Sequence, residues 1–251
     1  MLVEAPPGRH LAQFHRGHDT LVEASFAYLE GGLRRGQSAL VIADSEQIDR
    51  VLDRLTAGRM HPKSLTNSGQ LAVLESGTIL EKFDPDGLPE WAEFRSTLAP
   101  VLTRLQPFGR GIRVYSELAS TLWEAGNSEA AIRLEDYWNA LAGTYPFSLY
   151  CGFTMDTQCE NSYTAPIEEL GRTHSDILGT PDDERFGVAL DRASKEIFGI
   201  SLTQMAGVSR QDGARRFPSG QRAMLWVKRN LPMSTAQLAE KARQYFKDNH
   251  A

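Results

Sequence analysis

The residues best suited to chemistry are acids that directly follow short apolar segments. Glu117 follows such a segment in IRVYSELASTLWEAG (residues 112–126), and Asp44, Glu75 and Asp156 hold comparable places elsewhere. Ligands collect at the carboxyl ends of strands in α/β proteins, so these carboxylates are candidates to bind a small molecule or to move a proton. Four acids at one edge would repel one another unless they bind a cation, pair with basic residues, or have a raised pKa.

Each of these acids also has a structural interpretation. Asp44, together with Ser45, could simply cap the helix that follows it, because Asp and Ser are preferred at that position. Glu117 could contact a ligand, or it could pair with an arginine such as Arg113. Trp123 is predicted to lie in a loop, where it would line a cavity beside the acid.

The amino-terminal stretch HLAQFHRGHD contains His10, His15 and His18. Their spacing does not match the i, i+4 pair that places two metal ligands on one helix face. We therefore expect a surface loop with solvated histidines, without a metal or another cofactor, although His10 and Phe14 could pack into a pocket.

Secondary-structure patterns alternate along the first 180 residues. Short apolar segments typical of buried strands occur at 38–43, 70–74, 111–115 and 147–153. Amphipathic patterns at 21–36, 45–55, 88–105 and 128–145 predict helices between them. This alternation favours an α/β fold with a mostly parallel central sheet and helices on both faces, in three layers.

The rest of the chain has a different character. Strand patterns end near residues 179–184, and three helical patterns follow. The net charge is negative before this point and positive after it, which favours a boundary between a domain at 9–178 and a helical carboxyl-terminal module at 181–251. A basic cluster in the module is a candidate partner-binding surface: Arg215, Arg216, Arg222, Lys228 and Arg229.

Several protein classes are disfavoured by what the sequence lacks. It contains no G-x-x-x-x-G-K-[ST] loop, no G-x-G-x-x-G and no G-x-S-x-G nucleophile elbow, so we expect a non-enzymatic protein. No apolar run is long enough for a membrane helix, and the amino terminus does not resemble a signal peptide, so we expect a cytoplasmic protein. Cys151 and Cys159 do not suggest a disulfide framework.

Several short segments, in order, resemble the MEDS domain, the sensory domain of the DcmR type from methanogens and methylotrophs. The resemblance covers roughly residues 9–178 and closes at His174. The matching segments are HLAQFH (10–15), FAYLEGGLRRGQSALVIAD (26–44), FDPDG (83–87), GIRVYSELASTLWEAG (111–126) and LEDYWNALAGTYPFSLYCGF (134–153).

The resemblance implies a signalling module with a RecA-like and KaiC-like core that has lost its phosphate-binding loop and senses small hydrocarbon derivatives. The family's strand-end acid corresponds to Glu117 and its amino-terminal histidine to His10. Its aromatic-plus-Asn helix corresponds to Tyr137, Trp138 and Asn139. The family usually has an aromatic residue in place of His15, and Gly-Glu-Met in place of Ser116-Glu117-Leu118.

We therefore predict a sensory protein that binds a small molecule and passes the change to a partner, such as a histidine kinase, through its carboxyl-terminal helices. The predicted ligand-binding residues are His10, Phe14, His15, Asp44, Glu117 and Trp123. A homodimer is a further possibility. The alternatives are a transcription regulator that binds DNA through the basic helices, or a degenerate RecA-like nucleotide binder with poor phosphate affinity.

Overall fold

The computed structural model describes residues 2–83, 88–164, 166–208 and 216–248. Residues 84–87 of the FDPDG segment and Arg215 of the predicted partner surface lie outside the described residues. The chain folds into two compact units. Unit 1 comprises Met1–Ala12 and Gly17–Thr154, and unit 2 comprises Gln13–Arg16 and Met155–Ala251.

The described strands are β1 (His10–His15), β2 (Ser38–Ala43), β3 (Leu71–Glu75), β4 (Ile112–Ser116), β5 (Phe147–Thr154) and β6 (Asp176–Leu178). In unit 1 the strands are ordered β3-β2-β4-β5-β1, and only His10–Ala12 of β1 belong to this unit, because the boundary between the units falls within β1. The pairings of β2 with β3, β2 with β4, and β4 with β5 are parallel. The predicted α/β fold with a parallel sheet is confirmed, whereas the likeness to the RecA core stays a prediction.

Unit 1 contains helices α1 (His18–Leu33), α2 (Ser45–Ala57), α3 (Pro62–Ser68), α4 (Ser76–Phe83), α5 (Trp91–Leu105), α6 (Leu118–Glu124) and α7 (Ser128–Ala142). Unit 2 contains α8 (Pro166–Thr173), α9 (Pro181–Phe198), α10 (Leu202–Val208), α11 (Ser219–Asn230) and α12 (Thr235–Asp248). The predicted carboxyl-terminal helices are therefore present. Among the described helices, none has both the length and the apolar character needed to cross a membrane.

Strand β5 shows that helices cover both faces of the sheet in unit 1. Successive side chains of a strand point to opposite faces. Phe147 packs edge-on against Trp138 of α7, with ring centroids 5.7 Å apart. The next residue, Ser148, is instead hydrogen-bonded to the hydroxyl of Tyr28 on α1, which lies 2.8 Å from its Oγ. Helices α7 and α1 therefore lie on opposite faces of this sheet.

Arg113 is an unusual member of the buried core, because it is a charged residue in the central strand β4 with only 1% of its surface exposed. Its guanidinium donates hydrogen bonds to the carbonyl oxygens of Leu2, Val3 and Tyr28. It also lies 4.8 Å from the centre of the Tyr28 ring. These contacts stabilise the buried guanidinium cation and hold the amino-terminal residues Leu2 and Val3 next to the sheet.

The prediction of a surface loop over the first histidines is wrong. Residues His10–His15 form strand β1, and all six are buried. The sequence His-Leu-Ala-Gln-Phe-His is polar enough to suggest a loop, but its polar side chains find partners inside the fold. His18 differs from the other two histidines, since it lies at the exposed start of α1.

Unit 2 is organised around the start of α9, within the stretch where the boundary was predicted. Thr180 and Asp183 form a reciprocal capping box, in which each side chain accepts a hydrogen bond from the other residue's backbone N–H. The second oxygen of Asp183 accepts hydrogen bonds from Thr157 and from Gln221 of α11, both at 2.9 Å. One buried carboxylate thus joins α9, α11 and the segment after β5.

Replacing Asp183 with Ala should destabilise the protein, since the substitution removes the cap and leaves the donors of Thr157 and Gln221 buried without an acceptor. We expect a loss of about 2 to 4 kcal/mol in the free energy of unfolding, measured by urea denaturation. Asp182→Ala is the matched control, because Asp182 is half exposed and pairs with Arg185 on the surface. Equal effects of the two substitutions would contradict the role assigned to Asp183.

Candidate functional site

The strand-end acids Asp44 and Glu117 lie at a switch point of the sheet. Strands β2 and β4 are neighbours, and their last paired residues are Ile42 and Ser116. From β2 the chain continues to β3 on one side, and from β4 it continues to β5 on the other side. In parallel α/β sheets, a crevice that binds ligands forms where successive connections leave in opposite directions. Asp44 and Glu117 each follow one of the two strands at this point.

Glu117 is held in a mostly buried position, with 8% of its surface exposed. Its backbone N–H donates to the carbonyl oxygen of Ile42 at 2.8 Å, which extends the pairing of β4 with β2. The hydroxyl of Tyr115 donates a short hydrogen bond to the Glu117 carboxylate. Gln47 of α2 in turn donates to the Tyr115 hydroxyl at 3.1 Å. A strand tyrosine and a helix glutamine thus fix the carboxylate.

Arg113 is not the partner of Glu117, because its guanidinium binds backbone carbonyls near the amino terminus and Gln37. That alternative is therefore wrong. The carboxylate of Glu117 lies among polar groups without an arginine contact in the described part of the chain.

Burial raises the pKa of Glu117 to about 8. This value includes the nearby carboxylates of Asp44 and Glu124, which also raise the pKa, and the hydrogen bonds from Tyr115 and Gln47, which lower it. Burial disfavours the charged form of an acid, and neighbouring negative charges act in the same direction. Glu117 is therefore largely protonated near neutral pH and can donate a hydrogen bond as well as accept one.

Asp44 has the capping role that was one of its two interpretations. Its side chain accepts a hydrogen bond from the backbone N–H of Gln47 at 2.8 Å, at the start of α2. Glu75 behaves in the same way at the start of α4, where it accepts from the backbone N–H groups of Gly77 and Thr78. Asp44 is exposed, so contact with a ligand remains a prediction for it.

The placement of Trp123 in a loop is wrong. It lies in the last turn of α6, which begins directly after Glu117 and ends at Glu124. The side chain is half-buried. The sequence suggested a loop because α6 is only two turns long and ends at the turn containing Gly126. Its role as a wall of the ligand site remains a prediction.

His10 belongs to a second polar group in unit 1. Its Nε2 lies 2.9 Å from a carboxylate oxygen of Glu135 on α7 and 3.4 Å from the sulfur of Cys151 on β5. Its Nδ1 lies 2.9 Å from the side-chain oxygen of Asn139, one helical turn after Glu135. Cys151 is buried, and its thiol donates to Glu135 at 3.4 Å.

Phe14 and His15 lie in unit 2. Phe14 stacks on Phe217, with ring centroids 6.1 Å apart. Burial lowers the pKa of His15 to about 4, although the negative charge of Asp183 acts in the opposite direction. His15 is therefore neutral at physiological pH. Within unit 2, Phe14 packs against Phe217 and His15 is buried near Asp183.

Two of the predicted partner-binding cations already have intramolecular partners. Arg216 donates to the carbonyl oxygens at the end of α8, including that of Arg172 at 2.7 Å. One guanidinium nitrogen of Arg229, Nη2, donates to both carboxylate oxygens of Glu168, each at 2.5 Å. Arg222 and Lys228 are half-buried on α11. These contacts reduce the positive charge that the cluster offers to nucleic acid, and its role in partner binding remains a prediction.

Three residues that fix these acids and histidines were not predicted from the sequence: Tyr115, Gln47 and Glu135. Tyr115 lies in β4 two positions before Glu117, which directly follows the last strand residue, Ser116. Glu135 follows Leu134 and precedes Trp138 on the inward side of α7, where a charged residue is unexpected. An acid within an apolar helix face is a pattern that could have identified it.

The raised pKa of Glu117 predicts a dependence of stability on pH. Between pH 4.5 and about 8 the folded state holds a proton that the unfolded state releases, so the free energy of unfolding falls as the pH rises through this range. Glu117→Gln should abolish this component, on the order of a few kcal/mol, in urea titrations across the range. Glu129→Gln, at an exposed position on α7, serves as the control. Identical pH profiles for wild type and Glu117→Gln would contradict the assignment.

His15 predicts the opposite dependence in acid. As the pH falls from 6.5 to about 4, the unfolded state takes up a proton that buried His15 does not accept, so the protein loses stability. His15→Phe should flatten this part of the profile by on the order of 2 kcal/mol, which thermal melts at several pH values would measure. His18→Gln, at an exposed histidine, should leave the slope unchanged. An unaltered slope in His15→Phe would show that another group causes the acid sensitivity.

Comparison with known protein families identifies a match over most of the chain. The family model described as MEDS, the methanogen/methylotroph DcmR sensory domain, matches residues 9–175. This range covers more than half of the chain and includes His10, Asp44, Glu117 and Trp123. No curated protein matches the sequence.

Proposed function

Because the chain belongs to the MEDS family of sensory domains, we propose that it is a signalling protein that binds a small organic molecule at the ends of β2 and β4. The bound molecule would change the conformation of the protein, and the helices of unit 2 would present this change to a protein partner. In this proposal the protein has no enzymatic activity.

The observation that carries the proposal is the buried carboxyl group of Glu117 at the switch point of the sheet. A buried acid with a raised pKa destabilises the folded state at neutral pH and above, so it calls for an explanation beyond stability. Tyr115 and Gln47 orient this group, as expected for a polar anchor in a binding site. Binding pockets combine a largely apolar lining with a few placed polar groups.

The protonation of Glu117 indicates the chemistry of the ligand. A neutral carboxyl group can donate a hydrogen bond to an oxygen or nitrogen atom of an uncharged molecule, without burial of a net charge. Small hydrocarbon derivatives with one polar atom, the class that the family resemblance implies, have this character. Trp123, half-buried in the helix that follows Glu117, is the proposed apolar contact.

Unit 2 is the proposed output surface because it holds most of the exposed apolar side chains. Among the described residues, the large apolar side chains that are exposed are Val3, Val188, Ile200, Met205, Leu231 and Met233. All except Val3 belong to unit 2. Such side chains are candidates to contact a protein partner. A ligand could change this surface only if it binds two arrangements of the protein with different affinity.

Thermal shift measurements on the full chain would test ligand binding at Glu117. The probes would be a panel of short-chain alcohols, ketones, esters and halogenated hydrocarbons. We expect at least one class to raise the melting temperature, and a ligand at 100 times its Kd stabilises a protein by about 2.7 kcal/mol. Above pH 8 the affinity should fall, because Glu117 loses the proton that it donates.

The variants locate the site. Glu117→Gln keeps an N–H donor and should lose the pH dependence of binding, and Trp123→Ala should weaken binding at all pH values. Glu129→Gln should bind as the wild type does. Binding that is unaffected by Glu117→Gln and Trp123→Ala, or the absence of binding across the whole panel, would contradict the proposal.

A further inference from the structure

We propose that His10, Glu135 and Cys151 form a binding site for a divalent transition-metal ion of the Zn²⁺ class. The three side chains come from β1, α7 and β5 of unit 1, and the site is additional to the strand-end site proposed above. All three are buried, with exposed fractions of 5%, 0% and 2% respectively. Imidazole nitrogen, thiolate sulfur and carboxylate oxygen are the three donor types that proteins use for zinc.

The three donor atoms converge on one point. His10 Nε2 lies 2.9 Å from Glu135 Oε2 and 3.4 Å from Cys151 Sγ. Cys151 Sγ lies 3.4 Å from the same Glu135 oxygen. In a tetrahedral zinc site with normal bond lengths, pairs of ligand atoms are about 3.3 to 3.6 Å apart. The two distances that involve sulfur already match. The distance from His10 Nε2 to the Glu135 oxygen needs to increase by roughly half an ångström.

Asn139 orients the histidine as a metal ligand. Its side-chain oxygen lies 2.9 Å from His10 Nδ1 and can only accept, so Nδ1 carries a hydrogen. Nε2 and the Glu135 oxygen, 2.9 Å apart, share a proton in the metal-free protein, and loss of this proton frees the Nε2 lone pair for the metal. Histidines that bind metals commonly donate their other ring N–H to an oxygen in this way. Asn139 is exposed and is hydrogen-bonded to His10, so the buried donor atoms lie close to the surface of unit 1.

Helix and strand periodicity explain why the donors meet. Glu135 and Asn139 are four residues apart on α7 and therefore share one face of the helix. Cys151 is four residues after Phe147 on β5, so its side chain points to the same face of the sheet as Phe147, which contacts α7. Strand β1 lies beside β5 in the sheet and brings His10 to the group.

The donor set selects the class of ion. A thiolate and an imidazole favour zinc and similar transition metals over Mg²⁺ and Ca²⁺, which prefer oxygen ligands. Ionised Glu135 and Cys151 would carry two negative charges, which a divalent ion balances. A fourth donor would complete the coordination. On binding, the S–H bond of Cys151 breaks and the sulfur donates its electron pair to the metal. This thiol proton and the proton shared by His10 Nε2 and Glu135 both pass to solvent.

The alternative to a metal site is a hydrogen-bonded network of the same three side chains without metal. A nucleophilic role for Cys151 fits less well. Burial and the neighbouring charge of Glu135 raise the pKa of its thiol, whereas reactive cysteines have a lowered pKa. A nucleophile needs the thiolate without metal, while a bound divalent cation itself stabilises the thiolate.

Cobalt substitution of the full-length chain gives a direct test. Cys159→Ser leaves Cys151 as the only cysteine of the chain, since the sequence contains two. Apo protein of this variant, titrated with Co²⁺, should develop the near-ultraviolet charge-transfer band of a cobalt–thiolate bond, which must then come from Cys151. Zn²⁺ should displace the cobalt and abolish the band at one equivalent per chain. Calorimetry in buffers of different ionisation enthalpy should show that Zn²⁺ binding releases protons.

Further variants assign the ligands. Cys151→Ala and Glu135→Gln should weaken Zn²⁺ binding strongly, and Asn139→Ala should weaken it by about 10- to 100-fold while all three ligands remain. The Cys159→Ser protein should bind Zn²⁺ as tightly as the wild type. Folded Cys159→Ser protein without a thiolate band, or Zn²⁺ binding that survives Cys151→Ala unchanged, would overturn the proposal and leave the hydrogen-bonded network as the explanation.

Discussion

The parallel pairing of β2 with β4 is the constraint on which the strand-end site depends. The register that aligns Ile42 with Ser116 places the ends of both strands at one level. The backbone N–H of Glu117 continues this ladder through its bond to Ile42. The acid is therefore held by the sheet itself, and a change of one residue in register would turn the side chains of the shifted strand to the opposite face.

Unit 1 buries several ionisable groups, each supported in a different way. Arg113 satisfies its donors with backbone carbonyls, and Glu117 is supported by Tyr115 and Gln47. His10 and Glu135 contact each other. A buried charge is strongly unfavourable unless it is paired, hydrogen-bonded or neutralised by a proton. For Glu117, burial raises the pKa to about 8, so a proton neutralises its charge near neutral pH.

Much of the fold could be predicted from sequence because β2, β4 and β5 are short apolar segments that alternate with amphipathic helices. Strand β1 could not, because His10, Gln13 and His15 are typical of loops, and their burial depends on partners far along the chain. The contact of His10 with Cys151 spans 141 positions, and local patterns cannot show such a contact. The acid at Glu117 was identified by its position after a strand, but its pKa depends on the surrounding side chains.

The two units are not consecutive pieces of the chain, because unit 2 contains residues Gln13–Arg16 as well as everything from Met155 onward. Within this unit, the backbone N–H of Met155 bonds to the carbonyl oxygen of His15, and Arg16 pairs with Asp156. Unit 2 can therefore be completed only after the whole of α1 to β5 has been synthesised and a long loop has closed, a step with an entropic penalty. A fragment that begins at Met155 would lack residues Gln13–Arg16, which belong to the core of unit 2. Expression of unit 2 on its own would therefore require this amino-terminal segment to be supplied as well.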